Sequence, residues 1–218
     1  MILNEIREID DICNRHISDF GVYCTETPKI FTTSLCFYTD IATRNKILSI
    51  NDLLRLVSTS SNGTYMSKYK YFKNCVLFKF NKTSIKVFTN GTVHVTGAKT
   101  ICGAYNIIKH VFDDLFKDGD QYDIIRYSIF MMNISLKIKT DHLDLDFDLD
   151  ILYERFASMG IPTYYDKNKH AALKIKFPQT KMSILLFSSG SVLIMGNKNT
   201  NDIKTMLDWL KENLKLTF

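Results

Sequence analysis

Two short stretches of the chain carry residues with the spacing of a reactive site. Cys13 and His16 lie one helical turn apart, the separation at which an imidazole could take a thiol proton. No acid is placed to orient that imidazole and no oxyanion device is evident, so the pair reads as part of a helix face. The run Asp141-His142-Leu143-Asp144-Leu145-Asp146-Phe147-Asp148-Leu149-Asp150 alternates carboxylates in the manner of a calcium loop. Counted from Asp144, such a loop needs glycine where the chain has Leu149 and glutamate where it has Arg155. The run therefore reads as a solvated acidic edge leading into a helix. The five cysteines include no CxxC pair and read as free thiols of a reducing compartment. No metal, cofactor or enzymatic chemistry is expected.

The stronger signal is a combination of aromatic rings, turn glycines and lysines that occurs twice. Val87 to Thr100 reads VFTNGTVHVTGAKT, and Leu186 to Asn199 reads LFSSGSVLIMGNKN. Their phenylalanines, Phe88 and Phe187, are 187 − 88 = 99 positions apart. The same offset aligns Ile30–Phe37 with Ile129–Leu136, Asp52–Ser58 with Ile151–Ala157, and the amphipathic segments that follow the two motifs. Four elements in one order at one offset imply an internal duplication, with a period too long for a solenoid repeat.

The elements that must position these residues follow from hydrophobic periodicity. Each half is expected to hold a long strand (29–39; 127–139), a short helix (51–58; 149–158), three strands (73–80, 83–89, 92–97; 171–177, 182–188, 191–196) and a closing helix (Ile101–Phe116; Asp202–Leu214). Asn90-Gly91 and Ser189-Gly190 sit where hairpin turns need positive φ. Residues 1–27 fall outside the repeat, and Ile2, Ile6, Ile9 and Ile12–Cys13 have helical spacing there. The expected domains are thus 1–27, 28–118 and 119–218.

Four helices can cover one face of an antiparallel sheet. The other face would still carry Phe88, Leu185, Phe187, Leu193 and Met195, and a large apolar patch of that kind usually marks a binding surface. Burial of that face by the N-terminal helix or a second sheet is the competing expectation. The chain of 218 residues is 45% hydrophobic with a net charge of +5, which permits an anionic partner without requiring one. Its N-terminus has no signal-peptide pattern and no run is apolar enough for a membrane helix, so no membrane partner is expected.

The two motifs resemble those of the TATA-box-binding protein family, whose repeats read roughly IF-x-SG-K-x-V-x-TGAK. Gly97-Ala98-Lys99 matches the motif's end in full, and Gly196-Asn197-Lys198 in part. The resemblance covers about residues 28–218. It implies an α+β saddle with a pseudo-twofold duplication, a curved eight- to ten-stranded antiparallel sheet and helices on the convex face. An extra N-terminal helix is added to that frame.

The resemblance also implies roles for particular residues. Phe88 and Phe187 match the phenylalanine wedges that enter base steps in the minor groove and kink the duplex. Phe72 is near the place of a second wedge in the first half. The matching stretch Lys169-His170-Ala171-Ala172 has no phenylalanine, which leaves His170, Tyr164 or Tyr165 to fill the place. On the groove floor the resemblance places Asn133, with Ser34 in the equivalent position, flanked by Cys36 and Ser135. It places His94 with Thr96, and Leu185, Leu193 and Met195, on the same floor. Lys79, Lys99, Lys176 and Lys198 match its phosphate-contacting lysines, and Lys86 and Lys174 are added by their place on the strands.

The function so implied is a general transcription initiation factor that binds AT-rich promoter DNA in the minor groove, bends it, and recruits a IIB-like factor and RNA polymerase. The alternative is a transcription adaptor that keeps the fold and has lost or weakened DNA binding. The Lys-, Asn- and Ile-rich usage suggests a large DNA virus or a divergent protist. The expected location is then the nucleus, or a cytoplasmic viral replication site. The stretch of the first half that matches the acidic run at 141–150, Thr43-Arg44-Asn45-Lys46, is basic, an asymmetry suited to orientation on a promoter or to a basic partner.

Overall fold

A computed structural model of the chain describes residues 2–40, 48–59, 70–80, 82–115, 122–139, 148–177 and 179–216. Helix α1 (Ile2–Phe20) leads through a single 3₁₀ turn (Gly21–Tyr23) into the long strand β1 (Cys24–Thr39). There follow α2 (Ile50–Thr59), β2 (Lys70–Phe72), β3 (Cys75–Phe80), β4 (Thr83–Phe88), β5 (Val93–Thr96) and α3 (Ile101–Leu115). The series then resumes with β6 (Ile124–Ile138), α4 (Leu149–Ser158), β7 (Thr163–Tyr164), β8 (Ala172–Phe177), β9 (Met182–Phe187), β10 (Ser191–Asn197) and α5 (Thr200–Asn213).

The chain forms two compact units. The first holds 1–10 and 32–130, and the second holds 11–31 and 131–218. These units cut across the expected halves 28–118 and 119–218. The reason lies in β1 and β6, each of which contributes one end to each unit. In the first unit the strand order is β2-β3-β4-β5-β1-β6, and in the second it is β1-β6-β10-β9-β8-β7.

Local sequence accounts for these elements. Val76 and Phe78, Ile85 and Val87, and Val93 and Val95 alternate with polar or half-buried residues and are at most 1% exposed, so they form the core-facing side of the first unit's sheet. Leu173 and Ile175, Ile184 and Leu186, and Val192 and Ile194 do the same in the second. Helix α3 lays Ile101, Ala104, Ile108, Val111 and Phe112 into the first core, and α5 lays Ile203, Met206, Leu207 and Leu210 into the second. Trp209 packs against Phe156 of α4 and Phe177 of β8. The expected N-terminal helix is present, with Ile6, Cys13, Ile17 and Phe20 buried.

Helix starts are capped by the side chains the sequence supplies. Ser49 and Asp52 exchange bonds at the start of α2, and Asn199 accepts from Asp202 N at the start of α5. The start of α3 is held twice. Thr100 Oγ1 accepts from Gly103 N at 2.9 Å, and the buried Asp10 of α1 accepts from Ile101 N at 2.9 Å and Cys102 N at 2.7 Å. Gly97 and Gly196 end β5 and distort β10 with φ of +101° and +89°. A Cβ on Gly196 would stand 3.0 Å from Lys181 O, and one on Gly97 3.3 Å from Lys82 O. Each glycine closes the strand against the turn of the preceding hairpin.

The short edge strands β2 and β7 were not among the expected strands. The start of β1 at Cys24 also places residues 24–27 in the sheet, whereas the expected extension reached 27. Of the acidic run, residues 141–147 lie outside the described residues, as do 43–46. Asp148 caps α4 by accepting from Asp150 N, and Asp150 pairs with Lys167.

Candidate nucleic-acid interface

Side chains directly opposite one another on paired antiparallel strands share a face, so the register lays out the face turned away from the helices. In the first unit one row reads Leu77, Lys86, His94, Cys36. The row on one side of it reads Cys75, Phe88, and the row on the other reads Lys79, Ser84, Thr96, Ser34. In the second unit the rows read Tyr164, Lys174, Leu185, Leu193, Ser135; then Ala172, Phe187; then Lys176, Ser183, Met195.

The faces differ sharply in exposure. Ile85, Val95, Ile184 and Ile194 on the helix side are 0% exposed. Phe88, His94, Leu185, Phe187, Leu193 and Met195 on the open side are half-buried, and Thr96 is exposed. The expectation that α1 would cover this face fails in the first unit, where α1 is fastened to the start of α3 through Asp10.

In the first unit the open face carries a line of rings. Phe88 packs against His94 with the rings tilted and their centroids 4.9 Å apart, and Phe130 of β6 meets His94 edge-on at 5.6 Å. Phe130 is 44% exposed. Burial, and then the Lys86 ammonium directly opposite, lower the His94 pKa below its ordinary value. The imidazole is therefore neutral at neutral pH, with one donor and one acceptor nitrogen. Nearby, the Arg126 guanidinium lies 4.1 Å above the ring of Tyr38.

Two hydrogen-bonding devices stand at equivalent places in the two units. Ser34 and Thr96 face each other in register, with their hydroxyl oxygens 3.3 Å apart. In the second unit, Asn133 holds the place of Ser34 and Met195 that of Thr96. Asn133 Oδ1 accepts from Gly196 N at 3.1 Å. That bond uses one of the two lone pairs of the carbonyl oxygen, and the amino group of the same carboxamide is a donor.

Lysines border both faces. Lys79 and Lys176 are exposed, and Lys86 and Lys174 are half-buried within the rows. Lys99 and Lys198 are exposed at the turns between sheet and helix. In the second unit Lys174, Lys176 and Lys181 line a groove of about 260 Å³ together with Phe177, Met182 and Ser183.

Several sequence expectations need correction or extension. Cys36 was expected on the floor, but it is 1% exposed and supports the face from within. Burial raises its thiol pKa above the ordinary value, an effect that Tyr38 partly offsets. Asn133 is 5% exposed, so it too lies deep. His170 is exposed in the turn before β8, where its Nδ1 accepts from Ala172 N at 3.1 Å, and it stands outside the sheet rows. Tyr164, one of the residues left to fill the second unit's missing aromatic place, is 49% exposed and stands opposite Lys174. The backbone of Phe72 is placed in β2 opposite Cys75, while its side chain lies outside the described residues. Phe130 and Lys181 were not foreseen. Phe130 was quoted within an aligned strand, but alternation could not say which face it takes, because the period of two breaks inside the long strands. In β1 the buried positions pass from Pro28 and Ile30 to Thr33 and Leu35, a change of phase.

Comparison with known proteins supports the resemblance. Residues 135–216 match the sequence model of the family described as "Transcription factor TFIID (or TATA-binding protein, TBP)". The chain is 29% identical to a TATA-box-binding protein of Methanocaldococcus jannaschii over 135 residues, 60% of this chain and 69% of that protein. It is 22% identical to one from Methanothrix thermoacetophila over 176 residues, 81% of this chain and 93% of that protein. A solved structure of Methanococcus jannaschii TBP superimposes with a TM-score of 0.64 at 22% identity, covering 87% of this chain and 99% of that one. The fold is TBP-like. These relatives are archaeal and lend no support to the viral source read from composition.

Proposed function

We propose that this chain is a divergent TATA-box-binding-type transcription initiation factor made of two homologous halves. The open face of each unit binds one half of an AT-rich site through the minor groove. The observation that carries this reading is the exposure pattern. Each unit keeps rings or aliphatic side chains half-buried on the face opposite its helices, bordered by lysines. The names of the relatives supply the class of ligand.

The chemistry of the face suits that ligand. Phe88 and Phe187 act as wedges, with Phe72 as the further wedge of the first unit and Tyr164 as the exposed ring of the second unit. Unstacking a base step costs on the order of a few kcal/mol and is offset by the protein surface that a bent duplex can reach. An A·T floor presents only acceptors, which suits hydrocarbon contacts with a few donors such as the Asn133 amide. Lys79, Lys86, Lys99, Lys174, Lys176 and Lys198 neutralise phosphates, each adding roughly 0.9 to the slope of log affinity against log salt. The bent complex then presents the chain to a IIB-like factor and RNA polymerase.

A gel-shift with AT-rich and GC-rich duplexes at two salt concentrations tests this. Preference for the AT-rich duplex, weakening steeply with salt, is expected. The adaptor reading is favoured by one observation: the second unit has no phenylalanine in the turn before β8, where Lys169 and His170 stand. Absence of duplex binding at low salt, together with pull-down of a IIB-like factor, would establish the adaptor instead.

A further inference from the structure

We infer that the two units impose different base-pair requirements: the first accepts a G·C pair over Ser34 and Thr96, whereas the second demands A·T over Asn133 and Met195. The inference rests on the DNA-binding reading above. In the minor groove a G·C pair differs from A·T by the guanine amino group, a donor that needs an acceptor when it is buried.

The first unit offers acceptors. The facing hydroxyls of Ser34 and Thr96 share one hydrogen bond, which leaves lone pairs on both oxygens and one free O–H. The pair can therefore accept from guanine or donate to adenine N3 or thymine O2. His94 stands in the adjacent row, and its neutral ring has an acceptor nitrogen.

The second unit offers fewer at the equivalent place. The Asn133 carbonyl oxygen already accepts from Gly196 N, and the amino group of the same side chain would oppose the guanine amino group donor to donor. Met195 and, in the next row, Leu193 are hydrocarbon or thioether where the first unit has Thr96 and His94. Ser183 stands opposite Met195 as Ser84 stands opposite Thr96, so the units differ at the pair Ser34–Thr96 against Asn133–Met195 and, in the next row, at His94 against Leu193. A guanine over Asn133 and Met195 meets an amide donor and a thioether where the first unit presents two hydroxyls.

The test uses the full chain and an AT-rich duplex in which single pairs are replaced, position by position, with G·C or with inosine·cytosine. Inosine lacks the amino group and so reports on it alone. The expected pattern is asymmetric. In one half a G·C pair should weaken binding by roughly tenfold or more, relieved by inosine, as for a mismatched pair in a specific site. At the equivalent position of the other half it should cost less than about threefold, well below that ordinary range. The double substitution Ser34→Ala, Thr96→Val should make the tolerant half strict, read as the ratio of G·C to A·T affinity. Equal guanine penalties in both halves, with AT-rich binding intact, overturn the inference and leave the functional reading standing. Failure to bind any duplex overturns both. The comparison of guanine with inosine on the unsubstituted chain decides the matter even if the double variant does not fold.

Discussion

Removing the Asp10 carboxylate should destabilise the first unit through the start of α3. Asp10 is 6% exposed and accepts from two consecutive helix N–H groups, Ile101 at 2.9 Å and Cys102 at 2.7 Å. Bonds to a charged acceptor contribute about 1.5–3 kcal/mol each, and a lost N-cap costs typically about 1 kcal/mol. The two bonds share one side chain and are not additive, and Thr100 still holds Gly103 N. The expected loss for Asp10→Ala is therefore about 2–4 kcal/mol, from the same bond and cap magnitudes. At ~2–4 °C per kcal/mol for a chain of this size, the midpoint should fall by on the order of 5–15 °C. Asp10→Asn keeps one acceptor oxygen and should lose about half as much. Thermal denaturation followed by circular dichroism gives the midpoints, and amide exchange at Ile101 and Cys102 localises the effect. An Asp10→Ala protein that melts within a degree of the parent, with those amides still protected, would show that the buried contact is not what holds α3.

Three further outcomes follow from individual contacts. Gly196→Ala should cost about 1–3 kcal/mol for its positive φ and should be worse than Gly97→Ala, since its Cβ meets Lys181 O at 3.0 Å rather than 3.3 Å; comparative denaturant melts check the order. The lowered pKa of His94 means that the unfolded chain takes up this proton first as pH falls. Its contribution to stability is present above the ordinary histidine pKa and is lost as pH falls through the lowered folded value, and His94→Gln should flatten that acid limb. In the same titration, Lys86→Met should move the His94 pKa upward, read by NMR. Lys176→Ala should weaken AT-rich duplex binding and reduce the salt slope by roughly 0.9, measured by anisotropy titrations at several salt concentrations.

Much of the fold was legible because strand alternation is a local property. Ser84–Phe88 and Met182–Phe187 each present one apolar face and one mixed face, and the structure buries Ile85, Val87, Ile184 and Leu186 as that pattern requires. The turn glycines were equally legible, since Gly91 and Gly190 both take positive φ. The edge strands escaped notice because three residues at Lys70–Phe72 and two at Thr163–Tyr164 are too short to show a period. The equivalence of β3 with β8 also slips from the 99-residue offset to 172 − 75 = 97, since Cys75 faces Phe88 as Ala172 faces Phe187. β3 and β4 are separated by two positions in the sequence, and β8 and β9 by four.

The candidate site was legible where a residue's face follows from its strand and illegible where depth or pairing decides. Phe88, Phe187, Leu193 and Met195 stand on the open face as alternation places them. Cys36 shares that face, yet it is covered, which no single-strand pattern can reveal. The engagement of Asn133 with Gly196 depends on the irregular register of β10 between Ile194 and Asn197. Phe130 joins the ring of His94 only because β5, β1 and β6 lie in that order.

The most direct measurement of the central claim is the affinity of the full chain for an AT-rich duplex, compared with Phe88→Ala, Phe187→Ala and the double variant at one salt concentration. Stacked aromatic contacts to bases are worth about 1–3 kcal/mol each on alanine substitution. Each single change should therefore weaken binding by roughly tenfold, and the double change by more, with thermal midpoints near that of the parent. Equal affinity across all four proteins, each shown to be folded, would contradict the assignment of the open face as the surface that grips DNA.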